Sequence, residues 1–253
     1  MRRRNNLPSV LVTALCAVFI ESVGIVSVAM ADNHDALGAT LIVGAGQTFV
    51  GGNDSGFNID GNVNEYNVEV ESDLRDSLYY NVEYTKGLGN FKQTTGSYSA
   101  FDRDIVTGKV GMSFQTDAGP ALLTLTPYTG FSYLEADNKF TLGGTNVRSG
   151  QNTMYVPLGL KAMAHVEDIS VGVELTGMYK FKDDRRVIPL DVNQSSKDRI
   201  TIQAEVPVRF HITDSAFIEL KYAHRRDDFR QVGGGREAII FEHKFIGGYG
   251  LSF

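Results

Sequence analysis

The sequence of 253 residues contains no tryptophan, one cysteine and only six prolines. Cys16 lies in an apolar stretch near the N-terminus, so the remainder of the chain has no thiol that could mispair in an oxidising compartment. After residue 31 no apolar run approaches the roughly 18 residues that a membrane-spanning helix needs. Basic residues are fewer than acidic ones, 24 against 30, and no nucleic-acid partner is predicted.

Motifs for cofactors and metals are also missing. Phe49 stands where a third glycine would complete a dinucleotide-binding pattern after Gly44 and Gly46. The Asp and Asn residues between positions 53 and 60 lack the regular spacing of a calcium loop. Two histidines, His224 and His243, have no third ligand to complete a metal site. The sequence therefore predicts neither a cofactor nor a metal.

The first 31 residues have the organisation of an export signal. Met1–Arg4 is positively charged, Leu7–Val28 is mostly apolar, and Ala29–Ala31 forms a small-x-small cleavage site. We expect a Sec-type signal peptide over residues 1–31 and a mature domain over residues 32–253. Cleavage would remove three arginines and Glu21, which lowers the net charge from −6 to −8.

Alternation of apolar and polar residues predicts the class of fold. Between Arg199 and Ile212 every second residue from Ile200 onward is apolar, while the intervening positions are mostly polar. This run is longer than the usual soluble strand of about 5–6 residues. It suits a tilted membrane strand of about 9–11 residues with a short extension.

Similar segments recur along the chain and predict ten strands, although eight remain possible. Short turns alternate with longer connections, as in barrels that have short inner turns and longer external loops. Outward aromatic residues such as Phe49, Phe181, Phe114 and Phe210 lie near strand ends, where interfacial girdles are found. The predicted strands are 38–50, 63–72, 77–88, 104–116, 121–135, 153–166, 169–181, 199–212, 216–226 and 238–253.

The last strand carries the most specific signal. Phe245, Tyr249, Leu251 and Phe253 lie on one face of it, and the chain ends on the aromatic residue. This pattern resembles the C-terminal strand of bacterial outer-membrane β-barrels, which the barrel assembly machinery reads as an assembly signal.

The whole mature chain resembles the porin-like outer-membrane β-barrels of Gram-negative bacteria, in a small ten-stranded form. The resemblance implies an all-β, transmembrane, antiparallel up-and-down β-barrel in the cell outer membrane. It further implies a monomer whose partners are outer-membrane lipid or lipopolysaccharide and the barrel assembly machinery.

The inward positions of the predicted strands carry charges of both signs. Counting outward from the connections places Lys161 opposite Glu174, Arg209 opposite Glu219, and Arg225 opposite Glu242. Glu65 and three further glutamates form an acidic stripe on the second and third strands, and basic residues follow the ninth and tenth. The predicted lumen charge network comprises Glu69, Glu71, Glu83, Lys109, Lys161, Glu174, Arg209, Glu219, Lys221, Arg225, Glu242 and Lys244.

This network permits two interpretations. The charges interlock and plug the lumen, or they line a narrow porin-like pore with a transverse field for small polar solutes. In a barrel of eight strands the side chains just fill the interior. A barrel of ten strands is only slightly wider, which favours the plugged lumen. The predicted function is therefore a structural barrel or a narrow pore.

Alternative functions are a surface adhesin and an enzyme of the extracellular rim, a protease or a lipid-modifying hydrolase. His224 with Asp227 could supply an acid–base pair, but the Asp-x-His motif of outer-membrane proteases is absent. We therefore expect no catalytic residues and no enzyme. Arg225, Arg226 and Arg230 could instead pair with lipid phosphates.

Overall fold

The computed structural model describes residues 38–54, 57–72, 78–93, 98–142, 145–188, 192–194, 200–230 and 237–253. The predicted signal peptide lies outside these residues. The strands are β1 (Ala39–Asp54), β2 (Phe57–Ser72), β3 (Leu78–Gln93), β4 (Tyr98–Met112), β5 (Phe114–Ala118), β6 (Ala121–Leu142), β7 (Thr145–Val166), β8 (Ile169–Ile188), β9 (Val192–Gln194), β10 (Ile200–Thr213), β11 (Ala216–Arg230) and β12 (Glu237–Ser252). No helix within the described ranges is long and apolar enough to cross a membrane.

The strands close into a single antiparallel barrel. β1 pairs with β2 on one side and with β12 on the other, and β8 pairs with β10. β5 continues β4 after a break at Ser113 and pairs with β6, while β9 is a short addition at the end of β8. Ten strands thus form the closed wall, which confirms the predicted fold class and the higher strand count.

The predicted strand ends are accurate at the short turns, whereas at most of the long connections the strands extend several residues beyond the predicted ends. β7 and β8 meet at the two-residue turn Glu167–Asp168, as predicted. At the other end β6 continues to Leu142 rather than residue 135, and β8 continues to Ile188 rather than residue 181. The reason is that backbone pairing continues where the regular alternation is lost, as in the consecutive charged residues Lys182–Arg186 of β8, so the alternation ends before the ladder does.

Burial is inverted relative to a soluble protein. The side chains with least exposure include Glu65 and Glu219, each 1% exposed, whereas Leu158 is 70% exposed. Soluble proteins almost never bury charged residues in this way unless these are paired. The barrel therefore has a polar interior and an outer belt of large apolar side chains.

The outer belt includes the aromatic residues predicted to face outward. Phe49 and Phe181 toward the long connections, and Phe114 and Phe210 toward the short turns, are each 40–53% exposed. The outward residues predicted to form the assembly signal are similarly exposed, at 43–52%: Phe245, Tyr249, Leu251 and Phe253.

Candidate functional site in the barrel interior

All twelve charged residues predicted to face the lumen lie on the interior side of the wall, and each has an ion-pair partner. Their strands place them there because side chains alternate between the two faces of a strand. They fall into clusters at successive levels of the barrel.

The cluster nearest the short turns is an unbroken chain of alternating charge. Arg209 Nη1 lies 3.1 Å from Glu71 Oε1, and Arg209 Nε donates to Glu219 Oε2 at 2.7 Å. Lys221 Nζ lies 3.6 Å from Glu219 Oε1 and 2.8 Å from Glu69 Oε2. Because it joins β2, β7, β10 and β11, this chain crosses the interior from wall to wall. In order, the lower cluster is Lys161, Glu71, Arg209, Glu219, Lys221 and Glu69.

A second interaction lies beside the lower cluster. Lys109 Nζ on β4 lies 2.6 Å from Glu174 Oε1 on β8, across β6 and β7. The same ammonium group lies 5.1 Å from the ring centre of Tyr128, whose hydroxyl group donates to Glu174. A buried carboxylate thus receives two donors, which offsets the cost of removing its charge from water.

The upper cluster comprises Glu65, Glu83, Arg103, Glu242 and Lys244. Arg103 Nε donates to Glu65 Oε1 at 3.0 Å, and its Nη1 donates to Glu242 Oε1 at 2.9 Å. Lys244 Nζ lies 3.2 Å from Glu65 Oε2 as an ion pair without hydrogen-bond geometry, and 3.8 Å from Glu83 Oε1. The acidic stripe of β2 and β3 therefore meets basic residues from both directions around the barrel.

A third group lies toward the long connections. Arg225 Nη2 donates to Asp227 Oδ2 and to the Tyr155 hydroxyl, both at 2.9 Å. Lys180 also pairs with Asp227, and Thr201 Oγ1 donates to the same carboxylate at 2.6 Å. Four strands, β7, β8, β10 and β11, are joined at this level.

The interior near the short turns is occupied by a histidine–serine–histidine group. Ser170 Oγ lies 2.8 Å from His165 Nδ1 and 2.9 Å from His211 Nε2. The two imidazole rings meet edge to face with their centres 5.0 Å apart. This group lies on the short-turn side of the lower cluster.

The predicted cross-strand neighbours are the observed ones, but only one of the three pairs forms an ion pair. Lys161 lies opposite Glu174, and Arg225 opposite Glu242, in the ladder. Lys161 nevertheless reaches Glu71, and Glu242 is bound by Arg103. The interior is narrow, so long side chains from strands on opposite sides of the barrel can meet. The side chains of Lys161 and Glu174 start from adjacent strands but reach different partners. Arg209 and Glu219 do pair as predicted.

The sequence prediction missed Arg103, Lys180 and Asp227. Arg103 and Asp227 lie just beyond the ends of the predicted strands 104–116 and 216–226, so the sequence pattern places both in loops. Lys180 shares the inward parity of Glu174 on β8, and that parity is the signal that could have identified it.

Between the clusters the interior contains a cavity of about 80 Å³, lined among others by Glu83, Lys109, Glu205 and Arg225. A water molecule needs roughly 10–15 Å³ of such space, so the cavity holds only a few waters. Ligand pockets are typically some 300–1,000 Å³, and this one is far smaller.

Glycines on β1 make room for the upper cluster. Gly46 lies between Glu65 of β2 and Ile246 of β12, on the interior side of the wall. A Cβ atom added at Gly46 would collide with the Phe245 carbonyl oxygen and lie 2.7 Å from the Ile246 Cα atom. Because Gly46 has no side chain, the interior face of β1 is open beside Glu65, and Lys244 reaches over β1 to this carboxylate.

The substitution Gly46→Ala is expected to lower the free energy of unfolding by about 1–3 kcal/mol, because the contact is with backbone that cannot rotate away. Gly51→Ala on the same strand is the matched control, since nothing lies within 4 Å of its added Cβ. Urea unfolding of barrels refolded in vesicles, followed by circular dichroism, measures both. Equal stability of the two variants would contradict the packing described for β1.

The rim residues considered for catalysis do not converge. His224 is on the outer face of β11 beside His243, with ring centres 4.7 Å apart, whereas Asp227 faces the interior and pairs with Lys180. Among the described residues no group of three or more His, Cys, Asp and Glu side chains is arranged to hold a metal ion.

The three arginines considered for lipid phosphates also separate. Arg225 points into the interior, where it contacts Asp227, so it cannot face lipid. Arg226 is exposed on the outer face, and the side chain of Arg230 lies outside what the structure describes.

No family model matches the sequence, and no curated protein matches it. Solved structures do match the fold. The outer membrane protease OmpT from Escherichia coli matches with a TM-score of 0.58 and 9% identity, over 87% of this chain and 98% of that one. The translocator domain of the autotransporter NalP from Neisseria meningitidis matches with a TM-score of 0.50 and 14% identity, over 95% and 98% respectively. The chain thus has the architecture of outer-membrane β-barrels.

Proposed function

We propose that the protein spans the bacterial outer membrane as a sealed barrel, with a structural role rather than a role as a pore. The observation that carries this proposal is the lower cluster, in which six side chains of alternating charge connect opposite walls. A conducting eyelet would separate its acidic and basic residues across a water-filled gap, whereas these residues are in contact.

The membrane location is supported by the outer surface. Large apolar residues occupy the outward positions of every wall strand, as lipid contact requires. β1 and β12 are paired to each other along their length, so closure leaves no edge between them. A barrel closed in this way is complete as a monomer.

The seal is supported by ion pairs at more than one level of the interior. The upper cluster lies above the lower one, and a cavity between them has a volume of about 80 Å³. Breaking a buried ion pair leaves an uncompensated charge at a cost of several kcal/mol, so the clusters resist opening. We infer that hydrated ions and small solutes do not pass.

Planar bilayers containing the refolded protein are therefore expected to show no conductance steps above leak. A matched variant with two acids and two bases removed, Glu65→Ala, Glu71→Ala, Arg103→Ala and Arg209→Ala, keeps the net charge and is expected to conduct. Refolding of both proteins is checked by circular dichroism. Stepwise conductance of the unmodified protein would overturn the seal and favour the narrow-pore interpretation.

We also propose that the rim has no hydrolytic activity of its own. His224 and Asp227 lie on opposite faces of β11, so they cannot act as a hydrogen-bonded acid–base pair without rearrangement. Peptide or lipid cleavage by the purified protein that His224→Ala abolishes would contradict this proposal.

A further inference from the structure

Glu205 is a buried acid of the interior to which no basic side chain is bound. It points inward from β10 and is 8% exposed. Among the described residues no basic nitrogen lies within 4.0 Å of its carboxyl group, and its hydrogen bond comes from the Gln203 amide nitrogen on the same strand. The cavity that Glu205 lines holds only a few waters. A charge at this position would therefore lack both a counter-charge and the hydration of bulk water.

A second carboxyl group lies directly opposite Glu205. In the ladder between β10 and β8, Glu205 is paired with Glu174, and both side chains point inward. Residues in this relation have Cβ atoms about 4.5–5.5 Å apart, and like charges there repel each other. When two carboxyl groups share a site in this way, ionisation of one strongly opposes ionisation of the other.

The hydrogen bonds identify Glu174 as the ionised member of the pair. Lys109 Nζ donates to Glu174 Oε1 at 2.6 Å, and the Tyr128 hydroxyl donates to the same oxygen at 2.5 Å. No donor from the described part of the chain reaches Glu174 Oε2. That oxygen is available to accept a hydrogen bond. A neutral Glu205 can supply it, since a protonated carboxyl group is a donor as well as an acceptor.

The basic groups around Glu205 are already bound to other acids. Lys109 is bound to Glu174, and Lys221 Nζ lies 2.8 Å from Glu69 Oε2. The remaining bases belong to the upper cluster or to the group around Asp227. The charged groups that face Glu205 or line the cavity beside it are Glu83, Arg103, Lys109, Glu174, Lys221, Arg225, Glu242 and Lys244.

A proton fits this position better than a metal cation does. A cation would need several oxygen ligands, whereas ammonium groups of Lys109 and Lys221 already lie on the same side of the interior. No group of three or more His, Cys, Asp and Glu side chains in the described ranges is arranged to hold a metal ion. A proton needs only a donor oxygen and an acceptor oxygen, and Glu205 and Glu174 provide both.

We propose that Glu174 and Glu205 form a carboxyl–carboxylate pair that binds one proton at neutral pH. Glu205 carries the proton and donates it in a hydrogen bond to Glu174 Oε2, while Lys109 stays on Glu174 Oε1. Loss of the proton in alkaline solution would leave two carboxylates competing for Lys109. The site depends on the closed interior but not on the absence of conductance.

Infrared spectroscopy tests the proton directly, through the carbonyl band of a protonated carboxyl group. The full-length barrel is refolded in a detergent without carbonyl groups, so that no lipid ester overlaps this band. At neutral pH the unmodified protein is expected to show the band, and Glu205→Gln is expected to remove it. Glu242→Gln is the matched control and should keep it, because Glu242 lines the same cavity but is bound by Arg103.

The variant Glu174→Gln tests the pairing. Without the charge of Glu174, Glu205 is expected to ionise and attract Lys109, so the band should disappear here too. Persistence of the band in Glu174→Gln would overturn the shared site. Absence of the band from the unmodified protein, or its persistence in Glu205→Gln, would overturn the bound proton.

Unfolding as a function of pH gives an independent measurement. Above about pH 5 glutamates of the unfolded chain have lost their protons, whereas the folded barrel keeps one, so stability falls as the pH rises. Between about pH 5 and pH 7 the unfolding equilibrium constant, divided by that of Glu205→Gln, is expected to rise about tenfold per pH unit. Groups common to both proteins, histidines included, cancel in this ratio.

The remaining outcomes separate this inference from its alternatives. A ratio that does not change with pH would overturn the proton site. A ratio that instead depends on the concentration of sodium or potassium ions would assign a bound cation and overturn it as well. Conductance of the unmodified protein together with the Glu205 band would contradict only the seal, and a sealed barrel without the band would contradict only the proton site.

Discussion

Replacing Arg103 by methionine is expected to lower the free energy of unfolding of the barrel by about 3–5 kcal/mol, the cost of breaking a buried ion pair by removing one partner. Arg103 connects the acidic residues of the upper cluster, since it donates to Glu65 and to Glu242 from different nitrogens. Its side chain is 4% exposed and that of Glu65 is fully buried. Methionine retains most of the volume, so the loss reports the charge rather than a cavity.

Two controls make this result specific. Adding Glu65→Gln and Glu242→Gln to Arg103→Met removes the stranded carboxylates and should restore most of the stability. Lys86→Met breaks an outer-surface pair and should cost only about 0–1 kcal/mol, because solvent screens exposed charges. Urea unfolding in vesicles, followed by circular dichroism because the chain has no tryptophan, measures all three. If Arg103→Met and Lys86→Met were equally stable, the buried network would have no structural role.

The second large effect is expected on the opposite side of the wall. Leu160→Arg should lower the free energy of unfolding in vesicles by about 2–4 kcal/mol, as charged residues at the bilayer midplane of a barrel do. Leu160 is 42% exposed and lies near the middle of the outward apolar residues of β7, between Val156 and Val166. A guanidinium at this level must be taken out of water or must distort the bilayer.

Asn152→Arg is the matched control for this prediction. Asn152 is exposed on the same strand and the same face, beyond the apolar residues and toward the long connections. There an arginine should cost about 0–1 kcal/mol, since the penalty falls off toward the interface. Equal effects at the two positions would mean that the apolar belt does not face lipid.

Much of the fold followed from local pattern. The alternation around Ile200–Ile212 assigned the two faces of β10, and similar alternation located all ten wall strands. The short turns could be located because Glu167–Asp168 and Asp214–Ser215 interrupt apolar periodicity abruptly. The loop-side ends could not, because residues such as Lys182–Arg186 of β8 pair through backbone although they show no apolar–polar alternation.

The sequence was enough to predict which residues form the candidate site, but not which of them contact each other. Parity along each strand was enough to identify which charges face inward, including Lys161 and Glu71. Their contact joins β7 to β2, and 90 residues separate them along the chain. No local sequence pattern predicts this contact. It depends on how many strands close the barrel and on how far each strand is shifted relative to the next.

The amino-acid sequence by itself determined which side of each strand is apolar and which is charged, because that information is written in a period of two residues. Only the tertiary structure decided which charges meet. Closure of β1 onto β12 brings Lys244 over Gly46 to Glu65, and the narrow interior brings Lys161 to Glu71 rather than to its ladder neighbour. These contacts are set by the width of a closed ring, a property of all the strands together.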